Sequence, residues 1–566
     1  MAMLHLENLF SLNTRVPINK LFLENNTHFS SKFSYKIRSN NTSHLTFGID
    51  HGIDSSSSNF IKALSDNQGD VLAKNEIGII DFFEAKNLLV TGATGFLAKV
   101  LIEKILRTTP KINKIYLLIR AKDKEAAFDR LTSEIIESKL FKCLKEIHGE
   151  SYESFIRSKL IPVVGNIDEP NLGMDSIISQ QIAQEIDLII DSAANTTFDL
   201  RYDLALDAHV NGAYQLMMFA KKCINLKLLI HYSTAYANGE REGLQYEKPF
   251  IMGENITKEK LTSHSPSAKF PLLNAANELD FVSKLKNSIK NNDEFKKIII
   301  ELGDERAKLY GWHDTYSFTK AMGEMVIDSM RENIPIVIIR PSVITSSYEQ
   351  PFPGWIQGLR VIDPAIVFYG KGEFPGVYAN PYCLMDMVPV DMVVNATMPA
   401  IAIHGNLQSP ELNVYHVASS YVNPLLLSQI SNYCYKFFSS FPFVNSKGDQ
   451  VKVQKMKYFD NMLDYSNYIS KELLNRHHEV EDSKMQKLFK RKVEFLKNCS
   501  KVYEPYTFYK GWFHNGNMQK LMEDMSEEER QSFDIDLSKI NWRDYIIGIH
   551  IPGVKENVLK GRKSSF

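Results

Sequence analysis

Little in this chain of 566 residues equips it to be cross-linked or to hold a metal. Its five cysteines, Cys143, Cys223, Cys383, Cys434 and Cys499, are odd in number and widely spaced, with no CxxC pair and no Cys/His cluster. That excludes a disulfide framework and a zinc site, and leaves reduced core thiols. Neither sign of charge prevails. Lys and Arg number 66 against 67 Asp and Glu, a net charge of -1, so no overall field draws nucleic acid or an anionic membrane. No apolar run reaches the roughly eighteen residues of a membrane-spanning helix. The most apolar region, Met385 to His404, is interrupted by Asp386, Asp391 and Asn395.

What is present is globular in kind, with 44% hydrophobic and 23% charged residues. The length exceeds one ordinary domain, so two folded units behind a tail are expected. Residues 1–75 supply the tail. They show no sustained period and are rich in Ser, Asn and Thr, with a pure serine run from Ser55 to Ser58. Up to Gly48 the only acids are Glu7 and Glu24, against Arg15, Lys20, Lys32, Lys36 and Arg38. A serine-rich, acid-poor, mildly basic leader has the composition of an organelle transit peptide; the plainer alternative is a disordered tail.

From about residue 80 the pattern alternates. Apolar runs at Asn87 to Gly92, Lys114 to Arg120, Lys159 to Ile167, Glu185 to Ala194, Leu226 to Tyr236 and Ile334 to Arg340 predict strands, and helical stretches separate most of them. Continuous apolar strands alternating with helices predict an α/β fold, a doubly wound parallel sheet covered on both faces. The first strand runs into Thr91-Gly-Ala-Thr-Gly-Phe-Leu-Ala98. Gly92 permits a sharp turn, Gly95 lets the backbone approach a pyrophosphate, and Ala98 lets the following helix pack close. Gly92, Thr94, Gly95, Phe96 and Leu97 are therefore expected against a dinucleotide. The spacing is GxxGxxA, and its place between strand and helix gives it its weight. The second strand ends in Arg120, followed by Lys122. A cation there suits a 2′-phosphate, so NADPH is the expected cofactor.

Asp314-Thr-Tyr-Ser-Phe-Thr-Lys320 opens a helical segment in which Tyr316 and Lys320 stand four apart, on one face. A nearby ammonium is expected to lower the tyrosine pKa and to make Tyr316 a proton donor to a carbonyl oxygen, while Lys320 also binds the nicotinamide ribose. The fifth strand ends in His231-Tyr-Ser-Thr-Ala-Tyr236. Ser233 and Thr234 both offer a hydroxyl to the substrate carbonyl, and Thr234 is preferred only because in the related pattern the hydroxyl residue directly precedes the small one, here Ala235.

Together these residues resemble the extended short-chain dehydrogenase/reductase family. The resemblance implies a Thr234–Tyr316–Lys320 triad and a helix asparagine, matched to Asn211, that supports the lysine. In the family that asparagine acts on the lysine through a water, and the resemblance also implies that Asn166, Ile167 and Ser192-Ala-Ala194 lie along the cofactor, with Arg340-Pro341-Ser342 near its nicotinamide end. A closer likeness joins Thr91 to Ala98, Ile115 to Lys122, Glu305 to Glu324, Trp542 to Tyr545 and His550 to Gly553. From about residue 80 to 560 the chain resembles alcohol-forming fatty acyl reductases, and with its leader it looks most like the plastid, male-sterility type. That implies two-step reduction of a fatty acyl thioester of coenzyme A or acyl carrier protein to a primary alcohol, with no metal. The expected layout is a leader over 1–75, a Rossmann reductase domain over 80–405 and a mostly helical C-terminal domain over 406–566. The long stretch between Thr234 and Tyr316 suggests a lid or acyl channel, and peripheral membrane contact through an apolar patch is a further expectation. A nucleotide-sugar reductase and a non-catalytic NADPH-binding scaffold are the alternatives that the core motifs allow.

Overall fold

The structure is a computed structural model and describes residues 76–196, 200–262, 270–289, 291–445, 448–475 and 483–559. The expected leader and most of the Pro/Ser-rich piece near Ser263 to Pro271 lie outside the described residues. The described residues from Glu76 onward form one compact unit.

Its frame is β1 (Asn87–Thr91), α1 (Phe96–Thr108), β2 (Lys114–Ile119), α2 (Lys124–Leu131), β3 (Leu160–Val164), β4 (Leu188–Asp191), α3 (Gly212–Ala220), β5 (Leu228–Tyr232), α4 (Thr315–Met330), β6 (Ile336–Pro341), α5 (Val390–Leu407) and β7 (Leu412–Val417). The strands lie in the order β7-β6-β5-β4-β1-β2-β3, and every pairing is parallel. This is the doubly wound α/β sheet that the alternation called for, with the order reversing between β1 and β4.

The reason it is wound on both faces can be read residue by residue. Side chains alternate across a strand. Leu88 and Val90 of β1, with Ile115, Leu117 and Ile119 of β2, enter one core together with α1 and α5. Leu89, Tyr116 and Leu118 enter the other, with Leu216 of α3 and Phe318, Ala321 and Met322 of α4. A strand apolar at every position has two buried faces to satisfy.

All six expected strands form. A seventh, β7, lies beyond residue 405 and pairs with β6 from Leu412↔Ile336 to Val417↔Pro341. The boundary expected at 405 is thus corrected: it cuts the sheet one strand short. The chain after β7 is mostly helical, with helices such as α6 (Ser483–Thr507), but it does not stand apart. Gly511–Phe513 pairs in parallel with Gly243–Gln245 of the long insertion. Phe533, Trp542, Tyr545 and Ile551 are buried in the same core as α1. Glu529 accepts hydrogen bonds from Ile77 N and Ile79 N at 3.1 Å each. No helix among the described residues is long and apolar enough to cross a membrane.

Candidate active site

The glycine turn is set by backbone geometry. Gly92 has φ 63°, and a Cβ built on it would stand 2.6 Å from Ser192 O. A side chain there would be strained in conformation and would collide with the end of β4. Gly95 caps α1, its N–H bonded to Gly92 O at 2.8 Å, and α1 has no acid in its first turn. A 13-residue helix thus points its N-terminal N–H groups at the switch point between β1 and β4, an arrangement suited to a pyrophosphate. Thr94 and Leu97 are partly exposed here and Gly95 is exposed. Phe96 is turned inward, stacked on Trp355 at 5.3 Å.

Arg120 is exposed at the end of β2. A second arginine, which the sequence reading passed over, joins it. Arg130 of α2 donates to Arg120 O at 2.8 Å and to Thr94 Oγ1 at 3.2 Å, while Glu134 accepts from its Nε at 2.6 Å. The strand end and the glycine turn are therefore tied by one guanidinium, with Arg120 beside it. Asn166 and Ile167 follow β3, where Asn166 N donates to Leu172 O and Ile167 is buried against Gly212. Ala194 follows β4 and is exposed, and Pro341 is buried at the end of β6. Apart from the inward Phe96, the residues expected along a nicotinamide dinucleotide flank the carboxyl ends of the strands, where such ligands bind in this architecture.

Arg340, expected near the nicotinamide end with its neighbours, is corrected. Its side chain is fully buried against Glu324 of α4, donating from Nη2 to Oε2 at 2.6 Å and from Nε to both carboxylate oxygens.

Thr234 and Lys320 converge at the end of β5. Thr234 caps a short turn and accepts from Tyr236 N at 3.3 Å. Ser233 Oγ is buried with no hydrogen-bond partner among the described residues. Lys320 is 1% exposed and donates to Tyr232 O at 2.7 Å. Tyr316 lies one helical turn before it. Asp314 caps α4 by accepting from Ser317 N at 2.7 Å, and Tyr506 of α6 donates to the same carboxylate.

The electrostatics differ from expectation. Burial, followed by the nearby Asp314 carboxylate, raises the Tyr316 pKa rather than lowering it. The Lys320 ammonium is engaged by Tyr232 O and by His231 Nε2 at 3.3 Å, and it does not offset the cost of a buried phenolate. A tyrosine held protonated is still suited to giving a proton. Lys320 itself is lowered by burial, against the opposing pull of Asp191 and Glu324.

The asparagine expected to support the lysine through a water stands immediately before α3. Asn211 donates to Asp168 O at 2.7 Å. Two positions earlier, His209 faces the site. Its Nδ1 bonds Thr319 Oγ1 at 2.8 Å, its Nε2 accepts from Asn195 N at 3.2 Å, and its ring meets Tyr316 edge-on at 5.7 Å. Burial keeps His209 well below the usual histidine pKa and hence neutral.

Beyond Thr234 lies a buried aromatic cluster drawn largely from the last part of the chain. The Tyr236 ring contacts Tyr506 at 5.2 Å, Tyr509 at 5.7 Å and Phe513 at 5.3 Å. The insertion closes over the same region through Trp312 Nε1, which donates to Ala237 O at 2.8 Å.

A parallel nucleotide sheet with a hydroxyl, a tyrosine and a lysine converging at its carboxyl edge defines a nicotinamide-dependent oxidoreductase. The comparisons narrow the class. Residues 90–397 match an NAD-binding family profile described as male sterility protein, and residues 476–561 match a second profile of the same description. The chain is 49% identical over 502 residues to "Fatty acyl-CoA reductase 2, chloroplastic" of Arabidopsis thaliana, spanning 86% of this chain and 81% of that one. It is 37% identical over 494 residues to "Alcohol-forming fatty acyl-CoA reductase" of Simmondsia chinensis, spanning 85% and 99%. The protein belongs to this male-sterility family of fatty acyl-CoA reductases. Among solved structures, the terminal R domain from the myxalamid PKS-NRPS pathway shares the fold, with a TM-score of 0.53 at 17% identity over 84% of this chain and 92% of that domain.

Proposed function

We propose that the protein reduces a long-chain fatty acyl thioester to the primary alcohol, with NADPH as reductant. The observation that carries this reading is the convergence of Thr234 and Lys320, with Tyr316 one helical turn away, beside the aromatic wall of Tyr236, Tyr506, Tyr509 and Phe513. Aromatic rings suit contact with an alkyl chain, and the relatives are named as fatty acyl-CoA reductases. When bound, each of two successive NADPH molecules would supply one hydride, the first step releasing the thiol to leave an aldehyde and the second giving the alcohol.

The side chains do the rest. Thr234 donates a hydrogen bond to the substrate oxygen as negative charge gathers on it. Tyr316, protonated because burial raises its pKa, gives its proton to that oxygen in the alcohol-forming step. Lys320 brings positive charge to the Tyr316 side of the site. Gly92, Thr94, Gly95, Leu97, Asn166, Ile167, Ala194 and Pro341 hold the dinucleotide, with Phe96 supporting the turn from behind. Arg120 and Arg130 take the 2′-phosphate.

Two measurements test this. The full chain, incubated with NADPH and the C16 thioesters of coenzyme A and of acyl carrier protein, is expected to yield hexadecanol by gas chromatography. Absence of alcohol from a protein that binds NADPH would refute the reading. The better of the two carriers identifies the physiological donor. Acyl carrier protein and a plastid location are supported by the acid-poor leader and the chloroplastic relative. Second, Arg130→Ala removes a charge-assisted contact worth about 1.5–3 kcal/mol. It is expected to raise KM for NADPH roughly 10- to 100-fold and to leave KM for NADH nearly unchanged. An equal rise for both cofactors would count against a 2′-phosphate site.

A further inference from the structure

One rung of the sheet carries three polar side chains. The register sets Thr91 of β1 opposite Asp191 of β4, and Asp191 opposite His231 of β5. Residues at one rung of parallel strands point the same way, and here they face α4. The result is a continuous buried chain. Ala193 N donates to Thr91 Oγ1 at 3.1 Å, and Thr91 Oγ1 donates to Asp191 Oδ1 at 2.6 Å. Asp191 Oδ2 lies 2.7 Å from His231 Nδ1, and His231 Nε2 lies 3.3 Å from Lys320 Nζ. The Asp191 and His231 side chains are each 3% exposed.

The protonation pattern follows from the donors. Lys320 can only donate, so His231 Nε2 accepts, and the remaining ring proton on Nδ1 is given to Asp191. Burial first and Lys320 second hold the His231 pKa down, consistent with a neutral ring. Burial alone would raise Asp191, but the hydrogen bonds from His231 and Thr91 and the charge of Lys320 hold it below the usual carboxylate range. The rung thus ends in one carboxylate and one ammonium, joined by a neutral imidazole. The other ionisable groups around Lys320 are otherwise engaged. Glu324 on the same helix is bound by Arg340, Asp314 at its start caps α4 and accepts from Tyr506, and His209 is neutral.

We propose that Asp191 and His231 are positioning residues for the reduction, aiming the Lys320 ammonium at the site and supplying its counter-charge across the width of the sheet. This rests on the role given to Lys320 above. It also makes the glycine-turn strand part of the same polar line, since Thr91 immediately precedes Gly92.

The test is the pH profile of kcat at saturating NADPH and C16 acyl-CoA, with NADPH binding followed by fluorescence. Asp191→Asn keeps the shape of the side chain and removes its charge, so the Lys320 ammonium is favoured less. The alkaline limb is expected to move to lower pH by about one to three units, with NADPH still bound. His231→Asn keeps a donor for Asp191 but takes the acceptor away from Lys320, and its limb is expected to move the same way. Either variant decides the matter if the other fails to fold. A nucleotide-binding variant whose limb stays at the parent's pH overturns the proposal, as does a uniform loss of activity at every pH. A parent chain that makes no alcohol indicts the reductase reading itself, so the two failures are distinguishable.

Discussion

Tyr316→Phe is expected to lower kcat for alcohol formation by about two to four orders of magnitude, the usual contribution of a positioned proton donor. The ring stays, so its edge contact with His209 is kept and only the hydroxyl is lost. NADPH affinity and the unfolding midpoint should change little. The measurement is hexadecanol released per NADPH consumed, with the aldehyde counted separately. The first step expels a thiol and needs less from a donor at oxygen. The variant should therefore lose the second step more than the first and let aldehyde accumulate. A variant that makes alcohol at the parent's rate would remove Tyr316 from the chemistry.

Glu324→Gln is expected to cost about 3–5 kcal/mol of stability, the range found when one partner of a buried ion pair is removed. Arg340 and Glu324 are both fully buried, and Arg340 lies over the Phe250 ring at 3.9 Å, with its Nη1 3.4 Å from His416 Nε2. None of these neighbours can replace the carboxylate, since burial holds His416 well below the usual histidine pKa and a ring face offers only a weak attraction. The readout is the urea unfolding midpoint of the full chain. A loss under about 1 kcal/mol would mean that the guanidinium finds another partner or water. The pair joins α4 to β6, so the same variant should also disturb the helix that carries Tyr316 and Lys320.

These expectations show what a sequence reveals and what it conceals. The six apolar runs were visible because a strand buried on both faces needs no partner to look like one. The seventh, Leu412-Asn-Val-Tyr-His-Val417, mixes polar and apolar residues at the sheet's edge, and only its pairing with β6 defines it. The glycine turn and the Tyr316/Lys320 spacing were legible because each is local. Arg130, His209, Asp191 and His231 were not, since their roles depend on which strands lie side by side. Asp191 and His231 meet only because β4 and β5 pair at that register. The tyrosine pKa erred in sign because spacing shows that an ammonium is near but not what it is already bonded to.

The hydrogen bonds from Ile77 N and Ile79 N to Glu529 span 452 and 450 positions of sequence. A nascent chain can make this contact only once residue 529 has emerged. The segment leading into β1 leaves the ribosome early, yet it has no acceptor for those two N–H groups until nearly the whole polypeptide has been made. The sheet can assemble progressively as its strands emerge, but closure of the folded body waits for synthesis to finish. Contacts of such separation are slow to form, and a chain stopped short of Glu529 would carry an unsealed edge at its own beginning.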